Sequence, residues 1–169
     1  LWLRDVAGYS NTAIAWVLFV MMGAYACGNF AFGWVAQQWR RRGKSVMPLI
    51  VGGVAILIAM QIGLAAQITA LAIPLWIGVS IFLSASYAIY PLVTENFDAS
   101  FAARTSSALN FLVFLSVFFI QWLIGIVIEL FPLADKGGFS STAHSWAFAI
   151  GIAIQILGLT WYGASLRRG

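Results

Sequence analysis

Ser107, Asn110, Phe114, Val117 and Gln121 recur at helical spacing, so the amides of Asn110 and Gln121 look the same way along one face. Ser80, Ser84, Tyr87 and Pro91 share a second face, with Tyr90 beside it, and Tyr25, Asn29 and Phe32 share a third. Amides, hydroxyls and phenols donate and accept hydrogen bonds without carrying charge. Side chains of this kind hold a polar solute in a water-filled path, or they bond one helix to another for about 0.6–2 kcal/mol each. For any one of these residues helix packing is the simpler account. The second and first faces taken together read as a cavity lining.

Other chemistry is missing. No paired carboxylates, His–Glu zinc spacing or Gly-rich phosphate loop occurs, so the chain reads as non-enzymatic, without metal or cofactor. The single cysteine, Cys27, excludes a disulfide within the chain, and the single histidine, His144, has no ligand-type neighbour in sequence. His144 reads as an interfacial residue.

The elements that position these groups follow from composition. Of 169 residues 62% are hydrophobic and 8% charged, with mean hydropathy +0.94. A soluble domain carries roughly 25% charged residues, so the solvent of most of this surface is lipid. Five apolar runs are each long enough to cross a bilayer, which takes about 20 residues as a helix: 11–36, 46–68, 71–94, 104–131 and 143–166. Membrane β-strands would show alternating segments of about 10 residues, whereas these runs are continuous, and a helix satisfies its own backbone in lipid. The expected fold is all-α: one polytopic transmembrane bundle, 1–169, of about five helices. No Asp, Glu, Lys or Arg falls near the middle of a predicted span; Glu129, the nearest, lies towards the end of the fourth. Intramembrane charges mark proton and ion pathways, so no proton relay is expected in these five spans. Gly23, Gly28, Gly52, Gly53, Gly151 and Gly158 are expected where helices approach closely, and Pro74 and Pro91 bracket the third span.

The net charge of +4 is a topology signal, not a nucleic-acid footprint. Placing the loop with Arg40, Arg41, Arg42 and Lys44 in the cytoplasm puts Arg104, Arg167 and Arg168 there too, leaving Arg4 and Lys136 outside. The opposite orientation violates the positive-inside rule. The chain is therefore expected to be a multi-pass protein of the cell membrane, with its C-terminus and the 40–44 loop cytoplasmic.

The segment 33–44, GWVAQQWRRRGK, resembles the loop signature of the major facilitator superfamily: a helix Gly (Gly33), then a basic cluster (Arg40, Arg41, Arg42, Lys44) around a Gly. Gln37 and Gln38 stand where that signature has an Asp-Arg pair, and Arg40 where it has a second Gly, as in the weaker copy between helices 8 and 9. The stretch 1–10 is similar to the end of helix 7 and its external loop, and 101–110, with Arg104, to the cytoplasmic entry of helix 11. The resemblance maps the five spans onto helices 8 to 12 of a transporter with two six-helix halves around a central cavity, working by alternating access. It implies that Asn29, Ser84, Tyr87, Tyr90, Asn110 and Gln121 face the solute path, and that Gln61 and Gln155, on helices 9 and 12, lie outside it. It implies a cytoplasmic latch of Gly33, Arg41 or Arg42 with Glu95 or Asp98, beside Arg104 at the start of helix 11. Without it, the basic residues simply orient the loop and meet anionic lipid. The partners it implies are a small solute, the bilayer, and an N-terminal six-helix half on the same polypeptide or, as an alternative, a second copy. On this reading the sequence is a piece of a longer transporter. The competing reading is a membrane scaffold protein that moves nothing.

Overall fold

The computed structural model describes residues 1–134 and 138–167. It is all-helical: α1 (Trp2–Asp5), α2 (Asn11–Arg41), α3 (Met47–Ala65), α4 (Ala72–Leu83), α5 (Ile89–Thr94), α6 (Ala102–Glu129) and α7 (Ser141–Ser165). Five spans are long and apolar enough to cross a bilayer, Thr69–Thr94 counting as one. The shortest, α3, has 19 residues, roughly 28 Å at 1.5 Å per residue, close to the hydrocarbon thickness of about 30 Å. The chain is a multi-pass helical membrane protein.

Local chemistry sets the helix ends. The hydroxyls of Ser10 and Ser140 accept from the backbone N–H groups of Ala13 and Ala143, capping α2 and α7. Pro48 lies in the first turn of α3, where its missing N–H costs nothing. Gly43, at φ +66°, makes the turn out of α2 that a side chain resists. α2 continues five residues beyond the predicted end at 36, because Gln37, Gln38 and the arginines are good helix formers. The others begin or end within three residues of their predicted limits, apart from the overlapping 3-10 turn that precedes α4.

The third span departs from a smooth helix. Between α4 and α5 it tightens into a five-residue 3-10 stretch, Ser84–Ala88. Pro91 follows, and a proline ring clashes with the carbonyl four residues back, here that of Tyr87. The Ser84 hydroxyl adds a bond to the Ile81 carbonyl. Runs of 3-10 this long are uncommon and often mark a hinge.

Neighbouring helices pack in the order α2–α4–α3–α7–α6, and α5 reaches back to α6. One cluster of buried residues, with Trp2, Leu3, Val17, Leu64 and Leu75, fills the end where α2 starts. A smaller one, Ala36, Val46 and Ile50, fills the opposite, basic end. Of the six glycines expected at close approaches, Gly28 and Gly53 are there. A Cβ on Gly28 would lie 2.6 Å from Ser84 Oγ and 2.7 Å from the Ile81 carbonyl oxygen, and one on Gly53 would overlap the Ala85 methyl. The expectation of close packing is corrected for Gly23, Gly52, Gly151 and Gly158, where an added Cβ meets no atom within 4 Å. α6 is exposed along most of its length, only Ile128 being buried.

Alternation of the spans gathers Arg40, Arg41, Arg42, Lys44, Arg104 and Arg167 at one end, with Arg4, Glu129 and His144 at the other. The polar loop residues Asp135, Lys136 and Gly137, and Arg168, lie outside the described residues.

Candidate functional site

A cavity of about 430 Å³ opens between α2 and the half of the third span that holds the 3-10 stretch. Helical spacing puts Asn29, Phe32, Gly33, Ala36, Gln37 and Arg40 of α2 on its wall, and Ser84, Tyr87, Ala88 and Pro91 form the facing wall. The 3-10 tightening and the missing side chain of Gly33 leave this space open. An added Cβ at Gly33 would touch nothing within 4 Å.

At its basic end Arg40 forms an ion pair with Glu95, joining the last turn of α2 to the end of α5. The expected latch cations were Arg41 and Arg42. Because α2 remains helical through Arg41, position 40 stays in line with 33, 36 and 37, while Arg41 is turned about 100° away. Arg41 and Arg42 are exposed. Asp98 serves its own turn: its carboxylate accepts from Ser100 N at 2.8 Å. The Ser100 backbone N–H and hydroxyl hold that carboxyl below its ordinary value. Arg104 lies over the Phe101 ring, 5.8 Å from its centroid.

The remaining candidates form a chain of contacts. Tyr25 meets Tyr87 edge-on with ring centroids 6.2 Å apart, Tyr87 stacks on Tyr90 at 5.8 Å, and Tyr90 Oη donates to Asn110 Oδ1 at 2.8 Å. This links α2, the third span and α6. Asn29 Nδ2 donates to the Tyr25 carbonyl of its own helix at 3.0 Å. Thus Asn29, Gly33, Ser84 and Tyr87 share the cavity with Arg40; Tyr90 and Asn110 adjoin it through Tyr87; Gln121 is exposed on α6 and outside it.

The opposite end holds a polar junction that sequence reasoning missed. The Asp5 carboxylate, 2% exposed, accepts from Arg4 Nε at 2.7 Å and pairs with His144 Nε2 at 3.1 Å. It also accepts from Phe139 N at 3.4 Å. Burial pushes the Asp5 carboxyl up, but the hydrogen bonds from Arg4, His144 and Phe139 outweigh it and hold the group below its ordinary value. His144, expected at the interface, is buried. The reason is that α1 folds back over the start of α7 and covers it. A separation of 139 residues leaves no local pattern from which to infer this. Nearby, Ser145 Oγ donates to the Ala65 carbonyl at 2.6 Å and accepts from Gln67 Nε2 at 3.1 Å, tying α7 to the end of α3. Among the described residues no three of His, Cys, Asp or Glu converge as a metal site would require.

Chemically, the cavity offers hydrogen-bonding groups, an aromatic wall and one cation already neutralised by a carboxylate. Comparison with known protein families, characterised proteins and solved structures gives no match for this chain.

Proposed function

We propose that the chain is the C-terminal part of a secondary transporter or facilitator of the major facilitator type, moving a small polar solute by alternating access. The observation that carries this reading is the cavity of about 430 Å³ between α2 and the third span, with the Arg40–Glu95 pair at its basic end. A path that opens alternately needs a hinge and a closure that can break. The 3-10 stretch before Pro91 suits the first, and an exposed ion pair, worth only about 0–1 kcal/mol, suits the second. The resemblance of 33–44 to the superfamily loop signature points the same way. On this reading the basic end is cytoplasmic, and an N-terminal half covers the outward faces of α2 and α6, where Phe30 and Phe114 stand 81% and 73% exposed.

The scaffold reading has an observation of its own. Asn29, Ser84, Tyr90 and Asn110 already bond within the chain, as helix-packing groups do. Reconstitution of the full-length protein in liposomes with a panel of sugars, amino acids and organic acids separates the two. The transport reading expects uptake of at least one solute, reduced by Tyr87→Phe. No uptake of any solute, together with stable co-purification of another membrane protein, would overturn it.

A further inference from the structure

The cavity between α2 and the third span carries charge at one end only. Among the described residues that line it, Arg40 alone is ionised, and its Nη2 meets Glu95 Oε1 at the rim. Both side chains are exposed, Arg40 at 36% and Glu95 at 50%, so a dissolved molecule reaches either of them. Arg41 and Arg42 turn away from this wall, and Asp98 is engaged by its own turn. From Arg40 back to Asn29 the cavity follows α2 for roughly 16 Å at 1.5 Å per residue. Along that length Phe32, Val46 and Pro91 supply apolar wall, and the polar groups, Asn29 and Tyr87 among them, are neutral.

One cation and one carboxylate in contact sort solutes by charge type. An uncharged polyol leaves the pair closed. A lone carboxylate on Arg40 displaces Glu95 and then stands beside it, like charge against like; a lone ammonium on Glu95 does the same to Arg40. Either exchange gains one ion pair and loses one. A zwitterion answers both partners at once, so that two pairs replace one. A ligand shifts a closure only by binding one state better than the other, and a zwitterion gains its second pair only where Arg40 and Glu95 have parted. In an α-amino acid both charged groups are attached to one carbon. That matches a site charged at one end, with the side chain then lying along the apolar wall.

We propose, on the transport reading above, that the solute is a small α-amino acid with an apolar side chain, bound as the zwitterion. Its carboxylate takes Arg40, its ammonium takes Glu95, and the latch pair is exchanged for these two contacts. The pair is a single contact at an exposed rim, weak enough to be exchanged. The cavity volume of about 430 Å³ lies within the range of small-molecule sites.

The test measures binding of tritiated leucine to the full-length protein in lipid nanodiscs, with competition by 4-methylpentanoate, which lacks the ammonium, and by 3-methylbutylamine, which lacks the carboxylate. Leucine should bind about fivefold tighter than either, the ratio that one exposed ion pair gives at its upper end. Glu95→Gln should let 4-methylpentanoate rise to match leucine while 3-methylbutylamine stays weak. Arg40→Gln should do the reverse. A pair that only closes the cavity would instead move all three ligands together. That outcome, equal binding of the three by the native protein, or no leucine binding at all would overturn the proposal. Uptake into liposomes separates such a failure from that of the transport reading: uptake of glucose without leucine keeps the transporter and removes the amino acid, whereas no uptake of any solute removes both.

Discussion

Replacing Asp5 by Ala should undock the N-terminal segment from α7. The carboxylate is 2% exposed and engages three donors. Hydrogen bonds to a charged group contribute about 1.5–3 kcal/mol each, but they are unequal here. Arg4 is half exposed, so water replaces Asp5 at little cost, and the Phe139 contact is long at 3.4 Å. The His144 bond dominates, because that ring is 5% exposed and is stranded without its partner, at about 1–3 kcal/mol. The expected loss is about 2–4 kcal/mol. Asp5→Ala combined with His144→Leu should lose less than the sum of the single changes, since removing both partners strands nothing. Trp2 reports the event: it is buried and meets Trp76 edge-on at 6.2 Å, so tryptophan emission in detergent should shift to the red as the segment leaves, below the temperature of global unfolding. The pH dependence has a definite sign. The folded-state carboxyl is held below its ordinary value, so its contribution is complete above the unfolded value near 3.8 and is lost as pH falls through the lower folded one. The difference between the native protein and Asp5→Asn should therefore shrink as pH falls below 3.8. Strictly additive single and double changes, or a difference that collapses already near pH 6, would refute the reasoning.

Three further outcomes are expected. Gly28→Ala should destabilise by about 1–3 kcal/mol through overpacking against Ser84 and the Ile81 carbonyl, whereas Gly23→Ala on the same helix should be neutral or stabilising by up to about 1 kcal/mol; thermal unfolding in one detergent compares them, and equal effects would refute the close approach. Arg40→Gln and Glu95→Gln should each cost less than about 1 kcal/mol in stability yet change solute uptake alike, while Arg41→Gln changes neither, read from uptake rates in liposomes. Tyr90→Phe should lose about 0.6–2 kcal/mol, and a double-mutant cycle with Asn110→Leu should return most of that as coupling; a coupling of zero would place the Tyr90–Asn110 bond outside the membrane-embedded fold.

How much of this was legible in sequence depends on the range of the interaction. The five spans follow from continuous apolar length, a local property, and their ends from capping serines, Pro48 and Gly43, also local. The 3-10 stretch of the third span was half legible: Pro91 marks a disturbance, but the tightening at Ser84–Ala88 coincides with the Ser84 bond and with Gly28 and Gly53 closing in from two other helices. Helix period predicts which residues share a face, and Asn29, Gly33, Ser84 and Tyr87 do line one cavity. It does not say which face meets which neighbour, and that is why Gln121 stands apart and Arg40 holds Glu95. The Asp5–His144 junction was illegible, because neither residue has a local partner and their meeting rests on how α1 folds over α7.

What separates a packing group from a binding group, in a chain this poor in charge, is which of its bonds remain unused. Ser80, Ser116, Thr160 and Ser165 each donate to a carbonyl three or four residues back on their own helix. Hydroxyls so engaged are silent towards a solute, and their presence in lipid needs no functional account. Tyr87 differs because it is 42% exposed and lines the cavity while its ring is held between Tyr25 and Tyr90. Removing the Tyr87 hydroxyl should therefore disturb the fold little, since the two ring contacts survive in Phe. An effect of Tyr87→Phe on uptake without an effect on thermal unfolding would assign that hydroxyl to the solute; a loss of stability equal to that of Tyr90→Phe would assign it to packing.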